Sequence, residues 1–194
     1  DVTHLAELLS QEVTTLVSLM HVNNEVGVVL DLERIAIICK EHNALFHSDT
    51  VQSIGKTEID LKVLPIDFIS ASAHKFHGPK GIGFAFIRKN SGLQPLLLGG
   101  EQEKGLRPGT EAVPSIVGMG MAFDLANNAL NEHTQQISEL KAYAINKLTQ
   151  QFPASKVNGS EAGVHTILNV QIPCVTHKQD MLLFALDMQG IAVS

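Results

Sequence analysis

Cysteine is scarce in this 194-residue chain, and its two cysteines, Cys39 and Cys174, lie far apart. They form neither a C-x-x-C motif nor a disulfide framework, so a reducing interior is expected, with the cytoplasm as the default location. No apolar run approaches the roughly 20 residues needed to span a bilayer, and no signal peptide opens the chain. Positive charge is also in deficit: 14 Lys and Arg stand against 20 Asp and Glu, a formal net charge of -6. The basic residues are scattered, which argues against nucleic acid or an anionic membrane and in favour of a small molecule or a protein partner. The G-x-G-x-x-G pattern is missing, so a dinucleotide site is unsupported. Repeats and low-complexity segments are missing too. The 44% hydrophobic and 18% charged composition suits a globular core, in one large domain or one domain plus part of another. Asp1 is not an initiator methionine, and the chain reads as a piece of a longer protein.

Along the chain, Thr14 to Val22 is β-branched and apolar enough for a buried strand. Leu32 to His42 has helical spacing, with Asp31 as N-cap. Ala44 to His47 reads as a second strand, the run Leu61 to Ile69 ends in a third, and Gly83 to Arg88 forms a fourth after a turn at Gly81. Strand and helix alternate, which predicts an α/β fold with a mostly parallel sheet. Residues 1–114 are then expected to form part of a large domain. Ser115 to Gln150 is one long amphipathic helical stretch, a connector over 115–150. Residues 151–194 are expected to begin a small α+β domain, with a strand at Thr166 to Ile172, a helix at His177 to Met188, and a further strand begun at Ile191 to Ser194.

Three successive strands end in polar clusters: His21 to Glu25, His47 to Gln52, and Ser72 to Lys75. In a parallel sheet those ends share one edge, where open α/β sheets bind ligands. Lys75 is the candidate nucleophile, since a lysine with a depressed pKa forms a Schiff base with a carbonyl. An aldehyde cofactor held there needs an electron sink, and Asp49 is placed to keep a pyridine nitrogen protonated. Gln52, Ser72 and His74 can hydrogen-bond ring and phosphate oxygens. The bland alternatives are a turn-forming Asp49 and a surface Lys75. His74 and His77 are spaced H-x-x-H, but no acidic or cysteine ligand follows at a suitable interval, so no metal site is expected.

The strings Met20 to Gly27 (MHVNNEVG), His47 to Lys56 (HSDTVQSIGK), Ser72 to Gly83 (SAHKFHGPKGIG) and Gly99 to Val113 (GGEQEKGLRPGTEAV) closely resemble the cysteine desulfurases of the NifS/IscS type, among the class V aminotransferase-like enzymes that use pyridoxal 5'-phosphate (PLP). The resemblance runs from Val2 to Ser194 and implies a type I PLP-transferase large domain followed by the start of a small domain. It implies catalytic roles for Lys75, which would hold PLP, and for His74. Asp49 resembles the partner of the pyridine nitrogen and Gln52 the donor to the ring's phenolic oxygen. Ser72 and His74 match phosphate ligands, and Asn24 a residue that helps bind the carboxylate of the cysteine substrate. Thr110 resembles the threonine that reaches the neighbouring subunit's phosphate, which implies a homodimer with shared sites. Pro108 departs from the Ser or Ala common at that position.

The implied reaction converts L-cysteine to alanine and an enzyme persulfide, which scaffold or acceptor proteins take up for iron-sulfur clusters or thiolated tRNA. The resemblance would set the sulfur-carrying cysteine just beyond Ser194. Cys39 lies on an apolar helix face and reads as structural, and Cys174 has no counterpart in the family. Two other readings stay open: a related PLP enzyme such as a selenocysteine lyase or aminotransferase, and a truncated, inactive binding or dimerisation module. Gly118 to Leu130 reads as a packing helix, His165 and His177 as surface or loop histidines, and Glu132, Glu139 and Lys141 as a solvated face. By itself the segment is expected to be inactive.

Overall fold

The computed structural model describes residues 1–11, 13, 15–160, 162–173 and 181–194. Helix α1 (Val2–Leu9) leads into strand β1 (Leu16–Met20), helix α2 (Leu32–Glu41) and strand β2 (Leu45–Asp49). Strand β3 (Phe68–Ser72) runs directly into a short 3-10 turn, Ala73–Phe76, and strand β4 (Gly83–Ile87) returns beside it. The four strands lie in the order β1-β2-β3-β4, the first two pairings parallel and the last antiparallel.

α2 forms where its sequence has both a start signal and a single apolar face. The Asp31 carboxylate accepts the Arg34 N–H at 3.0 Å, capping the first turn, while Glu33 and Lys40 complement the helix dipole at opposite ends. Leu32, Ile35, Ala36 and Cys39 fall on one side and are buried. They pack in one core with Val17, Phe46, Ile69 and Ala71, the alternate residues of the three parallel strands. The residues between those alternate positions, among them Ser18, His47, Asp49, Ser70 and Ser72, therefore share the opposite, wetter face.

Contrary to the sequence pattern, strand and helix do not alternate throughout. Between β2 and β3 the chain makes turns without an α-helix. The side chain of Arg88 organises that crossover, donating to the carbonyls of Ile66 (2.7 Å), Leu61 (3.0 Å) and Leu64 (2.7 Å). The expected single helix over 115–150 is two helices, α3 (Val113–Asn128) and α4 (Leu130–Gln151), which meet at Ala129. Asn127 and Asn128, weak helix formers, precede the break. Phe123 of α3 meets Phe76 and Phe84 edge-on, with centroids at 6.0 and 6.2 Å, and so packs α3 over the turn that carries Lys75.

The later segment forms a two-stranded antiparallel sheet of β5 (Lys156–Asn158) and β6 (Asn169–Gln171), then helix α5 (Leu182–Asp187). The expected strand at Ile191 to Ser194 is not formed; among the described residues no strand pairs with it. Cys174, His177 and the first part of the expected helix lie outside the described residues.

Candidate cofactor site at the carboxyl edge of the sheet

The parallel register sets the ends of β1, β2 and β3 nearly level. Met20 lies opposite Asp49, and Asp49 opposite Ser70. Ser72 ends β3, and the 3-10 turn then raises His74 and Lys75 immediately beyond it. Hence Asp49, Ser72, His74 and Lys75 emerge at one edge of the sheet. The turn is tight: His77 adopts a left-handed conformation (φ 67°), and the Gly78 N–H closes back on the Ala73 carbonyl at 2.8 Å. Gly83 lies so close to the Ala71 carbonyl that a Cβ would overlap it, so the β3–β4 pairing behind Lys75 requires glycine there.

At this edge Asp49 is half-buried, and its Oδ1 accepts the Val51 N–H at 2.9 Å. Its Oδ2 makes no hydrogen bond among the described residues, which leaves an acceptor for a ligand N–H. Ser72 Oγ and His74 Nδ1 are hydrogen-bonded at 2.7 Å, an arrangement of hydroxyl and imidazole suited to an oxyanion. Gln52 sits one turn before Lys56, whose Nζ donates to Gln52 Oε1 at 3.3 Å. Burial, and then the charge of Lys75, push the Lys56 ammonium below its ordinary range. Two lysines and Gln52 are thus grouped at one end of the edge. Asn24 is exposed at the tip of the loop after β1. Thr110 is exposed in a separate loop, past the left-handed residues Glu103 and Lys104, where the Arg107 guanidinium donates to the Pro108 carbonyl at 3.0 Å. The structure therefore groups Asp49, Ser72, His74 and Lys75, ties Gln52 to them through Lys56, and leaves Asn24 and Thr110 on loops of their own.

Sequence reasoning passed over several members of this face. His47 bridges the strands, with Nδ1 at 2.8 Å from Ser18 Oγ and Nε2 at 3.3 Å from Ser70 Oγ. Its spacing of two from Asp49 within one strand was the available signal, since side chains two apart share a face. Lys56 was signalled by its i, i+4 spacing from Gln52. Lys141, expected on a solvated face, instead donates to the Val164 carbonyl at 2.8 Å. His165, expected as a surface or loop histidine, is half-buried and held below its ordinary pKa by burial and then by Lys141 and Lys56.

A cavity of about 310 Å³ opens between the Lys75 turn, α3, α4 and His165. Lys56, Lys75, His77, His133 and His165 line it without an acidic residue. Of the residues expected at the site, Lys75 alone reaches it. Among the described residues, no group of three or more His, Cys, Asp or Glu is arranged to hold a metal ion. No helix among them is long and apolar enough to cross a membrane.

The family model for class-V aminotransferases matches residues 1–194. The chain belongs to that family. It is 44% identical over 182 residues to the putative cysteine desulfurase IscS 1 of Bacillus subtilis, covering 93% of the chain and 48% of the relative. It is 40% identical over 179 residues to the cysteine desulfurase IscS of Clostridium botulinum, covering 92% of the chain and 45% of that relative. Among solved structures, a NifS-like protein superposes with a TM-score of 0.92 at 38% identity, over 100% of the chain and 53% of the neighbour. A NifS-like protein from Rickettsia africae gives 0.90 at 35% identity, over 100% and 54%. The chain has the mixed α/β fold of these proteins and spans about half the length of the curated relatives it matches. The cofactor of the family is pyridoxal 5'-phosphate, and the donor set at the sheet edge fits it: a primary amine, a carboxylate with a free oxygen, and a hydroxyl–imidazole pair.

Proposed function

We propose that the protein to which this chain contributes is a PLP-dependent cysteine desulfurase, which converts L-cysteine to L-alanine and an enzyme-bound persulfide. The observation that carries this reading is that Asp49 ends β2 while Ser72, His74 and Lys75 follow at the end of the neighbouring parallel strand β3, on the same edge of the sheet. The IscS relatives support the choice of substrate. When bound, PLP supplies an electron sink for the substrate's Cα.

The chain's own residues carry the remaining work. The Lys75 amine would hold the cofactor and would take up and return the proton at the substrate's Cα. The free oxygen of Asp49 would keep the pyridine nitrogen protonated, and the Gln52 amide would donate to the phenolic oxygen. Ser72 and His74 take phosphate oxygens. Asn24 binds the substrate carboxylate, and Thr110 reaches the phosphate of a second subunit in a homodimer with shared sites. The domain division proposed with this is 1–114, 115–150 and 151–194, in a cytoplasmic protein that passes sulfur to scaffold or acceptor proteins for iron-sulfur clusters or thiolated tRNA. Cys39 does not fit the sulfur-accepting role: it is buried, and burial together with Asp67 pushes its thiol up to about 11. Cys174 has no counterpart in the family, so the reading looks for that cysteine elsewhere in the full-length protein.

The test uses the full-length protein. A visible absorbance band that borohydride removes and that Lys75→Ala lacks, with alanine released from cysteine, is the expected result. Absence of both band and alanine refutes the reading. A band with transamination and no persulfide moves the protein to another PLP activity.

A further inference from the structure

The Asn24 loop is held by more than its own sheet. At its base, the His21 N–H donates to the Asp49 carbonyl at 2.9 Å, and Val22 and Val29 form an antiparallel bridge. Within the tip, Asn23 Oδ1 accepts the N–H groups of Glu25 (3.0 Å) and Val26 (2.9 Å), and the Gly27 N–H returns to the Asn23 carbonyl at 3.0 Å. Those bonds leave the carbonyls at the far side of the tip to other partners, and the β5–β6 hairpin supplies them, from β6 and from the connection before it. Asn169 Nδ2 donates to the Glu25 carbonyl at 3.2 Å, and the Val164 N–H to the Gly27 carbonyl at 2.8 Å. Asn158 Nδ2 donates to Asn169 Oδ1 at 2.9 Å, which sets the direction of the Asn169 amide. Contact is close as well. A Cβ on Gly159 would overlap the Val26 carbonyl, and one on Gly27 would lie 3.1 Å from the Ile167 Cβ. Lys141 fixes the same segment to α4 through the Val164 carbonyl.

We propose that Asn169 is a positioning residue for Asn24. Its amide clamps the Glu25 carbonyl, one residue beyond Asn24, to the β5–β6 hairpin, and the docking of that hairpin sets where the Asn24 side chain meets the substrate carboxylate. Exposed loop tips are ordinarily the most mobile parts of a chain. A contact group already held in its bound position need not be ordered when the substrate arrives, so loosening it weakens binding. The clamp thus makes the second sheet a determinant of substrate binding although it contributes no group to the substrate. The inference rests on the desulfurase reading for the role of Asn24.

The decisive variant is Asn169→Asp in the full-length holoenzyme. It keeps the oxygen that accepts from Asn158 and replaces the donor facing Glu25 with an oxygen that repels the carbonyl. The expected result is a KM for L-cysteine raised roughly three- to tenfold, the scale of one lost hydrogen bond, with kcat and the visible cofactor band unchanged. Hydrogen exchange at Glu25 to Gly27 should quicken while that of α2 stays as in the parent. Asn158→Ala, which removes only the orientation of the Asn169 amide, should raise KM in the same direction by less. An active parent with unchanged KM in Asn169→Asp overturns the positioning role alone, whether or not exchange quickens. A parallel fall of kcat, cofactor band and Tm in both variants also overturns it, by making Asn169 a residue of the fold. A parent that releases no alanine overturns the functional reading itself.

Discussion

Lowering the pH should destabilise this protein through His21, and the size of the effect follows from its surroundings. His21 is only 7% exposed, and its Nδ1 has no hydrogen-bond partner among the described residues. Burial therefore lowers its pKa from 6.5 to about 4. In the unfolded chain the same imidazole regains its ordinary value. Between the two values the unfolded state binds more protons than the folded one, so stability rises with pH and is lost as pH falls from about 6.5 toward 4. Linkage gives a loss of about 2 kcal/mol between roughly pH 8 and pH 5, approaching about 3 kcal/mol below the folded value. Urea unfolding of the parent and of His21→Leu across that range measures the difference. His21→Leu should flatten the profile by about 2 kcal/mol at roughly pH 5, whatever its own stability near neutrality. An identical pH slope in the two proteins would refute the argument, because it would mean that His21 is protonated equally in both states. The backbone N–H of His21 also joins the base of the loop that carries Asn24 to the Asp49 carbonyl.

Two further outcomes follow from the core and the sheet. The thiol of Cys39, 1% exposed and raised to about 11, should resist alkylation at neutral pH in the native protein and react once urea exposes it; rapid native labelling would contradict its burial. Gly83→Ala must relieve an overlap with the Ala71 carbonyl, so it should cost about 2 kcal/mol or more and weaken cofactor retention, measured by Tm and by loss of the visible band on dialysis; an unchanged Tm would show that β3 and β4 separate freely.

Local signals carried much of the fold. Asp31 followed by Leu32, Ile35, Ala36 and Cys39 contains a cap and an apolar stripe within one short segment, so α2 was legible almost to its ends. The first two parallel strands were legible because their apolar residues cluster between turn formers, whereas the third, expected to end at Ile69, runs Phe68–Ser72, because Ser70 and Ser72 lie on its wetter face and hide the strand pattern. The crossover between β2 and β3 was less so, because Arg88, distant in sequence, supplies the bonds that let it form without a helix. The division of the long helix at Ala129 was obscured by composition, which is helix-compatible on both sides. Residues 191–194 have strand-like side chains, but a strand requires a paired neighbour, and none is present among the described residues.

The sequence by itself determined the chemical inventory: an amine at Lys75, a carboxylate at Asp49, a hydroxyl and an imidazole at Ser72 and His74, each just beyond an apolar run. Spacing along one strand or turn is a local property, and residue order is enough to convey it. Only the tertiary structure decided that these groups share one edge of the sheet, because strand register is a relation between segments. It also decided that His47 joins Ser18 to Ser70, that Lys56 stands beside Lys75, and that Asn169 holds the loop of Asn24 across 144 positions of sequence. Such contacts depend on how whole elements pack, and no short window of residues encodes them.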